Sequence, residues 1–489
     1  MKKTQTHQLI FCILALFLRS GQICAKALSE TPLQKEISNR LAQLDPKSEV
    51  GVSLFNLNTH THPYQRNSNT LFPLASVSKL LTTGAALLQL GGEYKWSTQV
   101  YLDKNENLII RGGGDPFFVT ERLFLFATKI SRILKAKKKT VLKGGLFSLH
   151  GFFDEIERAS SRQMRSSSQP YNSSVSSLAL NFNSASFEVF PNPRLDKPGV
   201  IFVVPPNSKI EVQNKTITSS KGSSFLKIKK MESKNGKEVF QIQGKIDKNS
   251  PPQTLYSWVD HPDLHFLNTL IEILNTEGIQ FKKPARVLEI SEAENLKESS
   301  LLLNFESLPS RDIFSSINKW SNNFMADCLF KTLGAIEFGE PGSFEKGAKA
   351  VTQILIQNGI PEDGFQIEMG SGLSEENQAS PDTIAKLITL LFQKIKTMPE
   401  FLSSLAIPGG EGTLQTRLQS LVSQGGVRAK TGTLFKSVSI SSIAGVTQNK
   451  SGDWIVFTIL NQRKDGGSSS TIQKFKNLQD DLLAIIKKY

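Results

Sequence analysis

A chain of 489 residues with 39% hydrophobic and 21% charged content is an ordinary globular sequence, too long for one compact core and suited to two or three domains. That balance excludes a wholly disordered chain. The net charge of +14 does not by itself mark a nucleic-acid binder: Lys and Arg are scattered, and the one dense run, Lys135 to Lys139, reads as the solvated end of a helix.

The N-terminus has the three parts of an export signal over residues 1-27: Lys2 and Lys3, the apolar stretch Leu9 to Phe17, and the small-residue site Ala25-Lys26-Ala27. The apolar stretch is too short to span a bilayer as a helix. Removing the signal leaves 462 residues at +10, expected to work outside the cytoplasm, in the periplasm, with no integral membrane span; an uncleaved anchor is the alternative. Of three cysteines only Cys328 then remains, so no intramolecular disulfide is available. Its neighbours Phe324, Met325, Leu329 and Phe330 mark it as core filler.

Leu33 to Leu44 has helical spacing, Val50, Val52 and Leu54 alternate as the first arm of a hairpin, and Leu74 to Leu90 is an apolar helix stopped by Gly91-Gly92. From about Ser97 to about Asn295 short strands dominate, with a helical patch at Glu121 to Leu134 and a Ser-rich stretch from Arg165 to Ser177. Asn235-Gly236, between Phe225 to Ile228 and Val239 to Ile242, is a strong hairpin signal. Trp258 to Glu277 reads as an amphipathic helix leading out of this β-rich insert. Helical patterns follow at Arg311 to Leu333, Phe344 to Asn358 and Thr383 to Ile395, the last opened by Ser380-Pro381-Asp382. Strands at Val438 to Val446 and Trp454 to Leu460 and a helix through Ile472, Phe475, Leu478, Leu482 and Ile486 close the chain.

Ser76-Val77-Ser78-Lys79 opens the Leu74 helix and sets a hydroxyl beside an amine, because positions i and i+3 share a face. That is a nucleophile and a base, provided the lysine loses its proton through burial or a neighbouring cation. S-x-x-K alone is common. Ser321-Asn322-Asn323 in a helical region and Lys430-Thr431-Gly432-Thr433 before a strand complete a recognised set. In that set Ser321 relays a proton to a leaving amine and Asn323 holds a substrate amide. Lys430 supplies positive charge to a carboxylate and lowers the pKa of Lys79. Gly432 leaves room at the strand edge, and the N–H groups of Ser76 and Thr433 form an oxyanion hole.

Together with Gly112-Gly113-Gly114-Asp115-Pro116, Gly370-Ser371-Gly372-Leu373-Ser374 and Gly412-Thr413-Leu414-Gln415, these motifs resemble the class C low-molecular-mass penicillin-binding proteins, the D-alanyl-D-alanine carboxypeptidase/endopeptidases. Ser321 follows Lys79 by 242 residues, a gap that fits this family's insert. The resemblance implies an α/β (α+β) fold: a transpeptidase/β-lactamase-like catalytic domain, its antiparallel sheet flanked by helices, carrying a β-rich insert of two nested domains. The expected boundaries are 28-97 and 296-489 for the catalytic domain, 98-119 and 188-295 for inserted domain II, and 120-187 for nested domain III. It also implies an acyl-enzyme on Ser76, with Lys79, Ser321, Asn323 and Lys430 catalytic and Thr431, Gly432 and Thr433 binding substrate. Peptidoglycan stem peptides are the implied partners and β-lactams the covalent inhibitors. Relatives often carry a basic residue after the Gly-Ser-Gly-Leu-Ser segment, where this chain has Glu375, so no relative's side-chain preference transfers.

No cofactor is expected. His261-Pro262-Asp263-Leu264-His265 lacks a metal-site pattern, Gly370-Ser371-Gly372 does not make the G-x-S-x-G elbow, and no phosphate-binding loop occurs. Two alternatives stay open at this point: a β-lactamase, and a catalytically idle protein that binds peptidoglycan or a divisome partner.

Overall fold

The computed structural model describes residues 30–160, 170–220, 222–289, 292, 299–435, 438–466 and 468–489. The export-signal reading of residues 1-27 and the first part of the Ser-rich stretch, 165–169, lie outside these. A short N-terminal unit ends at Leu44, and a large unit runs from Asp45 to Tyr489. The first carries a helix, Pro32–Leu41, opened by a capping box between Thr31 and Gln34 and by proline in its first turn.

Both ends of the large unit build one five-stranded antiparallel sheet. Its order is Arg428–Phe435, Ser439–Gln448, Trp454–Arg463, Glu49–Asn56 and Thr61–Arg66. The strands Ser439–Gln448 and Trp454–Arg463 are buried along almost their whole length, as strands covered on both faces must be. On one face Gln479, from the closing helix Ser469–Lys488, donates to Ser441 O and Asn461 Oδ1 at 2.9 Å each. On the other, Ala444, Val446, Val456 and Leu460 join a large core with helices Lys79–Gln89, Asn323–Phe338, Phe344–Gln357 and Pro381–Gln393. Arg428–Phe435 is left at the sheet edge.

The helical pattern expected unbroken from Arg311 to Leu333 is two helices, Ser310–Trp320 and Asn323–Phe338. Ser321 between them is left-handed, with φ 59°, and Asn322 caps the second helix by accepting the Met325 N–H at 3.0 Å. The expected helix from Trp258 begins instead at Pro262, because Trp258 ends the strand Gln253–Trp258.

The insert holds two cores, and they divide at other residues than expected. A mixed sheet, Arg286–Leu288, Leu146–Leu149, Leu108–Arg111, Ser97–Leu102 and Ser300–Glu306 in that order, packs with helices Thr120–Ala136 and Pro262–Thr276. Leu123, Phe126, Ile130 and Leu134, placed by the sequence in the nested stretch 120-187, belong to this first core. Their helix is amphipathic and needs that sheet to cover its apolar face. The nested core draws instead on Ala185 to Val259. Two three-stranded sheets enclose it: Gln253–Trp258, Ser184–Phe190 and Val200–Val204, and Ile210–Ser219, Glu238–Asp247 and Phe225–Lys230. The hairpin expected at Asn235-Gly236 is present, both residues at positive φ.

Candidate active site

Three segments far apart in sequence meet beside the edge strand Arg428–Phe435. Ser76 lies in a 3-10 turn, Ala75–Ser78, that runs directly into the helix beginning at Lys79. Gly432 is what lets the turn approach the strand. A Cβ there would stand 2.7 Å from Leu74 O and 3.0 Å from both Ser76 N and Val77 N, closer than any larger residue tolerates. Gly372, at φ +73°, likewise lies against the Ala75 carbonyl.

Lys79 is fully buried, and its Nζ sits 2.9 Å from Ser76 Oγ. The same nitrogen donates to Asn323 Oδ1 at 2.8 Å and to Ser371 O at 2.6 Å. A neutral amine has two hydrogens and one lone pair. Were Nζ neutral, giving its two hydrogens to Asn323 and Ser371 would turn its lone pair toward Ser76 Oγ, the direction opposite to the donation an ammonium makes there.

Lys430 is also fully buried, and its Nζ donates to Ser321 Oγ at 3.0 Å and to Thr431 O at 2.6 Å. Burial, and after it the charge on Lys79, push its amine well below the ordinary lysine range. The left-handed kink at Ser321 separates the helices on either side, so the motif expected inside a helix is a junction between two.

The edge strand's backbone completes the arrangement. Ala429 spends both its N–H and its C=O on Ala406, outside the sheet, at 3.0 and 3.1 Å. The register with Ser439–Gln448 is unbroken from Arg428 to Phe435. Alternation along an antiparallel ladder therefore turns the N–H and C=O of Thr431 and Thr433 to that same outer edge. Thr433 is exposed there, and the Thr431 hydroxyl donates to Thr413 Oγ1 at 2.7 Å, tying the Gly412-Thr413 segment to the strand.

All eight candidate residues thus lie on the serine turn, the helix junction or the edge strand. Sequence reasoning missed two supports. The Ser371 carbonyl meets Lys79, and buried Asp327 holds that segment by accepting the Ser371 N–H at 2.7 Å. The four-residue spacing of Asn323 and Asp327 on one helix face was the available signal. Cys328 is buried and free, its thiol pushed well above the ordinary range by desolvation, as suits core filler. His265 is buried against Asn207 Nδ2 at 3.3 Å, its pKa lowered to about 4 by desolvation.

The D-alanyl-D-alanine carboxypeptidase of Actinomadura sp. (strain R39) is 24% identical over 463 residues, covering 91% of this chain and 83% of that protein. The D-alanyl-D-alanine carboxypeptidase DacB of Haemophilus influenzae is 25% identical over 436 residues, covering 86% of this chain and 87% of that protein. A crystal structure of penicillin binding protein 4 from Haemophilus influenzae superposes with a TM-score of 0.75 at 23% identity, covering 93% of this chain and 99% of that one. A second, complexed with a β-lactam, gives a TM-score of 0.69 at 24% identity over the same shares. The transpeptidase/β-lactamase-like fold with extra domains is thereby shown. The model of the D-Ala-D-Ala carboxypeptidase 3 (S13) family matches residues 33–481, and the chain belongs to that family of serine carboxypeptidases.

Proposed function

We propose that this chain removes the terminal D-alanine from peptidoglycan stem peptides through an acyl-enzyme on Ser76. The Ser76 Oγ attacks the carbonyl of the penultimate D-alanine while its proton passes to Lys79 Nζ. The oxyanion that forms lies between the N–H groups of Ser76 and Thr433, donors of a type whose removal costs roughly 3–4 kcal/mol. As the C–N bond breaks, the Ser321 hydroxyl delivers a proton to the departing amine and recovers one from Lys79, which is neutral again, while Lys430 Nζ holds Ser321 by donating to its Oγ. Water then attacks the ester and passes its proton to Lys79, which returns it to Ser76 Oγ as the acyl–oxygen bond breaks. Asn323 holds the substrate amide, and Lys430, Thr431 and Gly432 line the place of the terminal carboxylate and the strand-like peptide.

The observation that carries this reading is the single contact set of Lys79, which joins Ser76, Asn323 and the Ser371 carbonyl within 2.9 Å. The export pattern of residues 1-27 supports a periplasmic place of work, and among the described residues no helix is long and apolar enough to cross a membrane. β-Lactams, one of which is bound in a solved relative, are expected to acylate Ser76 and leave it slowly. Fluorescent penicillin should label the purified protein and leave Ser76→Ala unlabelled. Labelling that survives the substitution rejects the assignment, and rapid penicillin turnover favours a β-lactamase. Mass spectrometry of digested muropeptides shows whether terminal D-alanine or a cross-link is the bond cut.

A further inference from the structure

The charge of the chain is concentrated in the nested part of the insert. Residues 184–258 contain twelve Lys and Arg against six Asp and Glu. The sheet of Ile210–Ser219, Glu238–Asp247 and Phe225–Lys230 turns one face to the core through Phe240, Ile242, Leu226 and Ile228. Its other face can be read row by row from the strand register. Gln213 stands beside Gln241 and Lys229, Lys215 beside Gln243 and Lys227, and Ile217 beside Lys245 and Phe225. These nine central positions hold four lysines and no acid, and all are exposed except half-buried Gln241. Glu211 and Asp247 stand only at the two ends, and Asp247 accepts the Asn249 N–H at 2.8 Å. None of the four lysines has an ion pair among the described residues.

We infer that this face docks the enzyme on peptidoglycan, through the repeated carboxylates of its stem peptides; the inference rests on the proposed function for the identity of the polymer. The argument is one of geometry and charge. Neighbouring strands stand about 4.8 Å apart and alternate residues of one strand roughly 6.7 Å apart, so the four lysine positions are spread roughly 7–14 Å from one another. A small anion needs donors that converge, whereas a polymer with carboxylates at intervals can meet separated ones. The three glutamines supply donors and acceptors for sugar hydroxyls and peptide groups. Phe225 and Ile217, 61% and 47% exposed, offer an apolar strip at one end for sugar rings or alanine methyls, and Lys227 Nζ lies 4.9 Å from the Phe225 ring. Each contact of this kind is weak and salt-sensitive, which suits an enzyme that must move along its substrate.

The test is co-sedimentation of the full-length processed protein with isolated sacculi across a salt series, with anionic phospholipid vesicles as a second arm. Lys215, Lys227, Lys229 and Lys245 are changed together to Glu, and separately together to Arg. Surface changes of this kind leave the fold intact, checked by an unchanged thermal midpoint. The Glu variant should bind sacculi about tenfold or more weakly. The Arg variant should bind like the wild type, and wild-type binding should fall with salt. Equal binding of the Glu variant and wild type, salt-independent binding, or retention by vesicles and not by sacculi overturns the inference. Sedimentation is read without turnover, so its result is separate from that of the penicillin-labelling experiment.

Discussion

Lys79 and Lys430 are fully buried in the cleft, whereas Lys215, Lys227, Lys229 and Lys245 stand in water on the nested sheet. In the cleft, fixed partners at 2.6 to 3.0 Å and loss of solvent turn an amine into a proton acceptor or an oriented charge. On the sheet, solvent screens each side chain and keeps its contacts weak. One side chain serves chemistry in the first setting and adhesion in the second, and burial is what separates the two.

The comparison breaks most sharply at the buried lysines. Replacing Lys79 by Met should cut penicillin acylation roughly 10²- to 10⁴-fold, the range associated with loss of a general base; an unchanged second-order acylation rate would remove Lys79 from the mechanism. Thr433→Pro deletes one N–H on the open edge of the strand without breaking a ladder hydrogen bond. It should lower acylation roughly 10²- to 10³-fold with little change in folding stability, and stopped-flow acylation beside denaturant unfolding checks both halves.

Acidity sharpens the contrast. With two coupled amines in the cleft, acylation should rise with pH as one loses its proton, and a rate flat from about pH 5 to 9 would contradict a lysine base. Stability should respond as well. Lys430 is depressed by burial and by Lys79, so between its folded pKa and the ordinary lysine value the unfolded chain binds more protons. Stability therefore rises with pH across that window, and the cost of burying the charge is fully present below it. Relative to Lys430→Met, the wild type should gain stability as pH rises, read as a shift in urea midpoint; parallel midpoints would show that the amine is not depressed. Gly432→Ala should lower stability by about 1–3 kcal/mol through crowding of Leu74 O and Ser76 N, read as a fall in the urea midpoint.

Much of this site could be read before folding was considered. Ser76 and Lys79 meet because a helical start places i and i+3 on one face, a short-range property that spacing alone encodes. The three-part motif set located Ser321, Asn323 and the Lys430 to Thr433 strand for the same reason. The helix break at Ser321 was less legible, since the apolar spacing of Arg311 to Leu333 continues through it and only the left-handed backbone reveals the junction. Asp327 and the Ser371 carbonyl were missed because their roles depend on a contact across 44 residues.

The insert shows the same limit more strongly. Local pattern predicted its hairpin at Asn235-Gly236 and its helix near Glu121 to Leu134, but neither says which sheet will cover which apolar face. That choice moved the helix into the first core and left the second to residues 185–259. The basic face depends on it too: Lys227 and Lys245 come from hairpin neighbours, but Lys215 joins them only because Ile210–Ser219 pairs parallel to Glu238–Asp247. The sequence by itself determined the chemistry, the motif spacing and the local elements, all set by neighbours a few residues away. Tertiary structure decided which distant residues share a core, an edge or a face, because burying apolar area is a non-directional force that selects partners only once the whole chain competes for them.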